Sequence, residues 1–301
     1  MRLALIALAA GFTLLHGLPA RAERQVQAAG ADRPIVIGTS HSLASAHLGD
    51  VRQVNVWVPS GHGVDGRRFR VLYVLDGGTA QDFQHIAGLA QLGDLSWTFE
   101  PVIVVGVETR DRRADLTPPP TDSRFVSAFP SAGGAEAFRR FLAEEVIPFV
   151  EARYQASGQR ALAGESLAGL FVIDTLLKAP DLFDDYFAIS PSLWWDDQRL
   201  AHEAGALLHA RGVAGRRLWL AVADEGGTMQ EGVDRLRLAL TNTMGSPVLI
   251  YSDRSATETH ATIYHGAMLD GLRAFYGTPD EGSSEPPWYM VRNGVPPKSG
   301  Y

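Results

Sequence analysis

The chain has 301 residues, of which 46% are hydrophobic and 20% are charged, and it contains no cysteine. This composition is typical of a soluble globular protein with a large core, and the lack of cysteine excludes disulfides and zinc sites built on thiolates. The formal charge of −7 argues against nucleic acid and anionic membrane surfaces as main partners.

The first residues show the pattern of a secretory signal peptide. Met1 and Arg2 precede the apolar run LALIALAAGFTLLHGL, which leads to small residues around the predicted cleavage site after Ala22. We therefore expect a signal peptide over residues 1–22, export to the periplasm or beyond, and one domain over residues 23–301. The apolar run is short for a bilayer span, so a membrane anchor is the less favoured alternative and no span is expected after cleavage.

Farther along the chain, short apolar runs alternate with helical patterns. The runs typical of strands cover residues 34–40, 53–59, 69–77, 101–108, 160–164, 186–190, 217–224 and 247–252. The helical patterns cover residues 80–92, 134–154, 167–178, 197–211, 228–243 and 261–276, with a long loop at 109–133 and an irregular tail from Gly277. This alternation predicts an α/β fold with a mostly parallel central sheet flanked by helices and an antiparallel start.

The stretch ALAGESLAGL, residues 161–170, lies where a predicted strand meets a predicted helix. A serine at such a sharp turn sits in a strained conformation and needs small neighbours, which Gly164 and Ala168 provide. The pattern therefore predicts a nucleophile elbow with Ser166 as the nucleophile and the Leu167 N–H as an oxyanion donor. The alternative is that Ser166 is an ordinary helix N-cap.

A hydrolase of this type needs an acid and then a histidine later in the chain. His260 follows the last predicted strand and precedes the last helix, whereas His265 is expected inside that helix. The strand at 217–224 runs into Asp224 and Glu225, either of which could orient the histidine or cap the next helix. We prefer Glu225, keep Asp224 as the alternative acid, and keep a Ser–His pair without a close acid as a third possibility.

The second oxyanion donor is expected after an early central strand. Gly77 and Gly78 follow the strand at 69–77 and open a helix, and glycines let backbone N–H groups approach a ligand closely. The alternative is a flexible turn. The histidines are dispersed and show no metal-ligand spacing, so the sequence predicts neither a metal site nor a cofactor.

Seven segments, in order over nearly the whole chain, resemble the Putative esterase family of the α/β-hydrolase superfamily, and most closely its bacterial siderophore-esterase branch, the enterochelin and salmochelin esterases. They are LGDVRQVNVWVP, LYVLDGG, PVIVVGVETRDRRADLTP, GGAEAFRRFLAEEVIPFVEARY, GESLAGLF, AISPSLWWD and ETHATI. The resemblance implies an α/β-hydrolase fold and ester hydrolysis through an acyl-enzyme at Ser166, with His260 as general base and then acid. The usual elbow there reads G-H-S-x-G-G, from which Glu165 and Ala168 depart. An acid beside the nucleophile would disfavour anionic substrates.

Two further segments suggest a substrate surface. Arg110 and Arg112, together with Trp194 and Trp195, could grip an aromatic, electron-rich acyl group by charge and stacking. Alternatively, Arg112 pairs with Asp111 or Asp115 to order its loop, and a tryptophan fills the core.

Three hypotheses of function remain open at the level of sequence. The first is a serine esterase that acts on a small-molecule ester or lactone, including a trilactone siderophore. The second is an acyltransferase with the same serine, for which a dry, apolar acceptor groove would be the distinguishing feature. The third is a non-catalytic binding protein on a hydrolase scaffold.

Overall fold

The structure is a computed structural model that describes residues 33–64, 66–278 and 292–295. The predicted signal peptide, residues 1–22, lies outside the described residues, as does most of the tail that follows Gly277. Residues 33–36 carry no regular secondary structure, and the compact unit that contains the fold begins at Ile37.

The centre of this unit is one eight-stranded sheet. Its strands are β1 Thr39–Ala44, β2 Val51–Trp57, β3 Phe69–Leu75, β4 Val102–Val107, β5 Ala156–Glu165, β6 Asp185–Ile189, β7 Arg217–Val222 and β8 Val248–Asp253. Their order in the sheet is β1-β2-β4-β3-β5-β6-β7-β8. The β1–β2 and β2–β4 pairs are antiparallel and the other pairs are parallel, so the predicted mostly parallel sheet with an antiparallel start is confirmed.

Helices cover both faces of the sheet. They are α1 Phe83–Ser96, α2 Arg112–Leu116, α3 Ser123–Ala128, α4 Ala135–Phe141, α5 Ile147–Arg153, α6 Leu167–Lys178, α7 Trp195–Arg211, α8 Gly227–Asn242 and α9 Ile263–Tyr276. The buried side chains of α1 and α9 pack on one face of the sheet, and those of α2 and of α4 to α8 pack on the other. The central strands are therefore buried on both sides, which explains their continuous aliphatic sequences.

Two predicted elements differ from the structure in an informative way. The first strand was predicted at residues 34–40, whereas β1 runs over Thr39–Ala44. It is an edge strand that pairs with β2 alone, so its sequence TSHSLA carries little of the hydrophobic signal of a buried strand. The single helix predicted at 134–154 is α4 and α5 joined by a wider π-helical turn over Leu142–Val146, just before Pro148, which lacks an N–H.

The long loop predicted at 109–133 holds the short helices α2 and α3 and is held in place at Asp115 and Thr121. Arg52 binds the buried Asp115 through two guanidinium nitrogens, at 2.6 and 3.0 Å. Asp196 accepts the Thr121 N–H at 2.9 Å. Asp196 lies in a left-handed turn at the start of α7, with a φ of 50°. These contacts hold the loop against the carboxyl ends of the parallel strands.

Candidate active site

The predicted elbow lies between β5 and α6. Ser166 has a φ of 62°, in a region that residues with a side chain rarely adopt. A Cβ on Gly164 would lie 2.6 Å from the Cβ of Ala168, and one on Gly169 would lie 2.9 Å from the Ile189 carbonyl oxygen. The backbone therefore turns so tightly that these positions accept only glycine. The strained serine at a strand-to-helix turn is the geometry of a nucleophile elbow.

The surroundings of Ser166 supply polar contacts from two sides. Leu167 is the first residue of α6, so its N–H has no acceptor within the helix and is available to a ligand. The Ser166 hydroxyl lies 3.3 Å from the hydroxyl of the buried Ser192, which follows β6. Ser192 also donates its backbone N–H to the Ser166 carbonyl at 3.0 Å. Sequence reasoning missed Ser192, because its segment reads as an ordinary strand end.

The structure brings His260 and Glu225 together. His260 lies in the loop between β8 and α9, and its Nδ1 is 2.8 Å from Glu225 Oε1, in the loop that follows β7. The Glu225 side chain is only 6% exposed, whereas Asp224 is exposed, and the carboxylate that meets His260 Nδ1 is that of Glu225. Because a carboxylate only accepts hydrogen bonds, this contact places the imidazole proton on Nδ1 and leaves Nε2 as the base. The geometry therefore favours Glu225 over Asp224.

Ser166 and His260 line the same cavity of about 410 Å³. Within the described residues no hydrogen bond joins the two side chains, a common state for catalytic pairs before substrate binds. The remaining lining residues are Asp82, His85, Arg112, Glu165, Ala261, Thr262, Tyr264 and His265. All these residues lie beyond the carboxyl ends of parallel strands or in the helices that follow them, where ligands of open α/β sheets bind.

A carboxylate stands next to the nucleophile. Burial raises the pKa of Glu165 to about 7, although the nearby His260 opposes the shift. Glu165 Oε1 lies 4.0 Å from His260 Nε2. Burial and the charge of Asp76 also raise the pKa of Asp82. The cavity thus contains acids that are harder to ionise than usual, for the physical reason that they are partly desolvated and close to each other.

The predicted glycine donors occupy different roles. The Gly77 N–H donates to the Val107 carbonyl at 2.9 Å, so the interpretation of Gly77 as an oxyanion donor is wrong. A Cβ on Gly77 would lie 2.3 Å from the Cα of Gly106, which shows that this glycine lets β3 and β4 approach closely. The Gly78 N–H donates to the Gln81 side chain at 2.9 Å and would reach a ligand only if Gln81 moved away.

The two arginines predicted to contact substrate lie in different places in the structure. Arg112 lines the cavity, its Nε is 2.8 Å from Asp76 Oδ2, and one terminal nitrogen donates to the Glu165 carbonyl at 3.3 Å. The expected pairing of Arg112 with Asp111 or Asp115 is therefore wrong in its partner, because Arg112 binds Asp76 at the end of β3, whereas Asp115 binds Arg52. Arg110 is exposed, does not line the cavity, and binds Asp50 at 3.1 Å. The prediction that Arg110 belongs to the substrate surface is therefore wrong for this cavity.

The two predicted tryptophans also lie away from this cavity. Trp195 is 2% exposed, and its indole N–H donates to the Pro118 carbonyl at 3.1 Å. Trp194 is half-buried and stacks near Phe125, with ring centroids 6.1 Å apart. Trp195 therefore fills the core, as in the alternative interpretation. The sequence pattern alone does not distinguish a buried ring from a binding platform.

Two further properties concern the described residues alone. In residues 33–64, 66–278 and 292–295, three or more acidic or histidine side chains nowhere cluster in a way that could hold a metal ion. Across the same ranges, each helix is too short or too polar to cross a membrane.

Comparisons with known proteins agree with this geometry. A family model described as Putative esterase matches residues 45–264. The siderophore enterobactin esterase of Emericella nidulans is 40% identical over 118 residues, which are 34% of this chain and 39% of that protein. The ferri-bacillibactin esterase BesA of Bacillus subtilis is 38% identical over 109 residues, which are 32% of this chain and 38% of that protein. The matches thus span about two fifths of the length of these relatives.

A solved structure extends the comparison over most of the chain. The IroE-like serine hydrolase from Shewanella oneidensis has a TM-score of 0.71 and 24% identity, and the match covers 79% of this chain and 80% of that chain. At this identity the likeness shows the fold, and the predicted α/β-hydrolase fold is confirmed.

Proposed function

Because this chain belongs to the Putative esterase family, we propose that it is a serine hydrolase that cleaves carboxylic esters through an acyl-enzyme at Ser166. One observation carries the proposal: the strained Ser166 shares a cavity with His260, whose Nδ1 is held by Glu225 at 2.8 Å. Serine, acid and histidine also follow each other along the chain in the order that this fold requires.

The reaction follows from these positions. His260 Nε2 removes the hydroxyl proton of Ser166 while the serine oxygen attacks the ester carbonyl. Glu225 holds the imidazole in the required tautomer and stabilises the imidazolium that forms. The Leu167 N–H donates to the oxyanion of the tetrahedral intermediate. His260 then returns the proton to the leaving alcohol, and a water molecule repeats the sequence on the acyl-enzyme to release the acid.

The substrate class follows in part from the relatives. Two of them are named as esterases of siderophores, enterobactin and ferri-bacillibactin. We propose that this chain likewise acts on a small ester or lactone, with siderophore esters as one candidate group. The cavity volume of about 410 Å³ suits the reacting part of such a molecule.

The composition of the cavity favours hydrolysis over acyl transfer. An acyltransferase must exclude water from the acyl-enzyme, which calls for a dry, apolar acceptor groove. Here the lining includes the ionisable residues Asp82, Arg112 and Glu165. Such a lining holds water beside the nucleophile, so water is the favoured acceptor.

The test is the initial rate of p-nitrophenyl acetate hydrolysis by the wild type and by Ser166→Ala. We expect the variant to lose turnover by a factor of at least about 10³, as in other serine hydrolases that lose the nucleophile. Ser192→Ala is the matched control, because it removes the neighbouring hydroxyl at 3.3 Å and leaves the proposed nucleophile in place. A Ser166→Ala variant with wild-type rates would refute the proposal.

A further inference from the structure

The cavity beside Ser166 is lined by two carboxyl groups and three histidines but by a single arginine. Arg112 is its one permanently cationic lining residue among those described, and this arginine is paired with the buried Asp76 at 2.8 Å. The two acids that line the cavity, Glu165 and Asp82, have only histidines as ion-pair partners within the described residues, at 4.0 and 3.6 Å. When these carboxyl groups ionise, the cavity lacks a cation to balance them.

The position of Glu165 indicates which part of the substrate its negative charge faces. His260 Nε2 is the atom that returns a proton to the leaving alcohol in the proposed reaction. Because Glu165 Oε1 lies 4.0 Å from that atom, the carboxylate stands beside the alcohol part of the ester. A charged group on the acyl part would lie farther from it.

Tyr264 provides an independent sign of a ligand. Its side chain lines the cavity, and its hydroxyl is buried with no hydrogen-bond partner among the described residues. Burial, together with the charges of Asp82 and Glu165, raises the pKa of this phenol, and all three side chains line the same cavity. A phenol oxygen accepts a hydrogen bond from an ammonium group, and the ring attracts a cation. An unpartnered aromatic hydroxyl beside two carboxylates is suited to a bound ammonium group.

We propose that the ester cleaved at Ser166 carries an ammonium group on its alcohol part, bound between Glu165, Asp82 and Tyr264. This inference rests on the proposed esterase function and specifies its substrate class. It also explains the departure of the elbow from the family pattern, since a glutamate before the nucleophile binds a cation and repels an anion.

Proton binding to Glu165 then controls the affinity for the cation. Burial holds the pKa of Glu165 near 7, and a bound ammonium group lowers it, so the cation binds more strongly above this pH than below it. The charged groups that act on Glu165 are Asp76 and Asp82 in the segment between β3 and α1, Arg112 in α2, and His260 before α9.

The experiment compares acetylcholine with 3,3-dimethylbutyl acetate, which has a quaternary carbon in place of the quaternary nitrogen. Acid release is followed by titration at constant pH between pH 6 and pH 8. We expect the wild type to favour the cationic ester by about tenfold in kcat/KM at pH 8 and by roughly twofold at pH 6, as for a partly exposed ion pair whose carboxylate titrates near pH 7. The permanent charge of acetylcholine ensures that the pH dependence belongs to the protein. Because its nitrogen carries no N–H, this substrate tests the attraction of the carboxylates and the ring for the cation and not the hydrogen bond to the Tyr264 hydroxyl.

Glu165→Gln keeps the shape of the side chain and removes its charge, and Glu100→Gln is the matched control. Glu100 is exposed and does not line the cavity, so Glu100→Gln removes the same charge at a site away from the cavity. We expect the ratio of the two substrates to become independent of pH in Glu165→Gln and to stay as in the wild type in Glu100→Gln. If Glu165→Gln does not fold, Asp82→Asn must reduce the ratio at pH 8.

The outcomes separate the two proposals. Equal turnover of the two esters by the wild type would overturn this inference and leave the esterase function standing. A preference that survives in both Glu165→Gln and Asp82→Asn would overturn it as well. No turnover of either ester, together with no turnover of p-nitrophenyl acetate, would overturn the esterase function and this inference with it.

Discussion

Replacement of Glu225 by glutamine tests the identity of the acid most sharply. The carboxylate lies 2.8 Å from His260 Nδ1 and its side chain is 6% exposed. Two unit charges about 4 Å apart at an effective dielectric constant of about 20 interact by roughly 4 kcal/mol. Since about 1.4 kcal/mol corresponds to a factor of ten in rate, loss of this stabilisation of the imidazolium predicts a fall of about 10³ in kcat/KM. The neutral amide also admits the wrong histidine tautomer, which adds to the loss.

The assay is the initial rate of p-nitrophenyl acetate hydrolysis, with circular dichroism and a thermal melt as checks on folding. Asp224→Asn is the matched control, because this exposed neighbour loses the same charge without a contact to His260. We expect Asp224→Asn to stay within about threefold of the wild type, as for other surface charges. Small and equal losses in the two variants would contradict the reasoning and support a Ser–His pair that works without a close acid.

Two further predictions concern stability. The pKa of Glu165 is about 7 in the folded protein and ordinarily 4.5, so the folded state binds more protons between these values and loses stability as the pH rises through them. Glu165→Gln should therefore raise the free energy of unfolding by roughly 2 kcal/mol at pH 8 and leave it unchanged at pH 4, relative to the control Glu100→Gln. Urea titrations that give the same difference between the two variants at both pH values would contradict this. The buried Asp185 binds Arg217, Arg70 and the Tyr276 hydroxyl at 2.6 to 3.0 Å. Asp185→Ala should therefore lower the free energy of unfolding by about 3 kcal/mol. A loss below about 1 kcal/mol in urea titration would refute the role of Asp185 in stabilising the fold.

The sequence predicted the elements that bury the most apolar surface. Helix α6 has the predicted bounds, residues 167–178, because its apolar residues and the following Pro180 leave little choice of ends. The order of serine, acid and histidine followed from the same reading, since loops at the carboxyl ends of parallel strands meet at one edge of the sheet. The structure then brings His260 next to Glu225, the preferred carboxylate of two adjacent ones.

Other features depend on tertiary contacts that a single sequence does not encode locally. Gly77 and Gly78 are equivalent by pattern, yet only Gly77 lies against the backbone of β4, where its N–H finds the Val107 carbonyl. The burial of Trp195 depends on Pro118, which is distant in the chain and accepts its indole N–H. The first strand was predicted too early in the chain because every residue of edge strand β1 is exposed or half-buried, so hydrophobic periodicity is weak there.

The measurement that tests the central claim most directly is the intact mass of the protein after reaction with a fluorophosphonate. An activated serine predicts one adduct on the wild type and on Ser192→Ala, and none on Ser166→Ala, because Ser166 alone stands at the strained turn beside His260. An adduct that persists in Ser166→Ala, or no adduct on any of the three proteins, would contradict the account of Ser166 as an activated nucleophile.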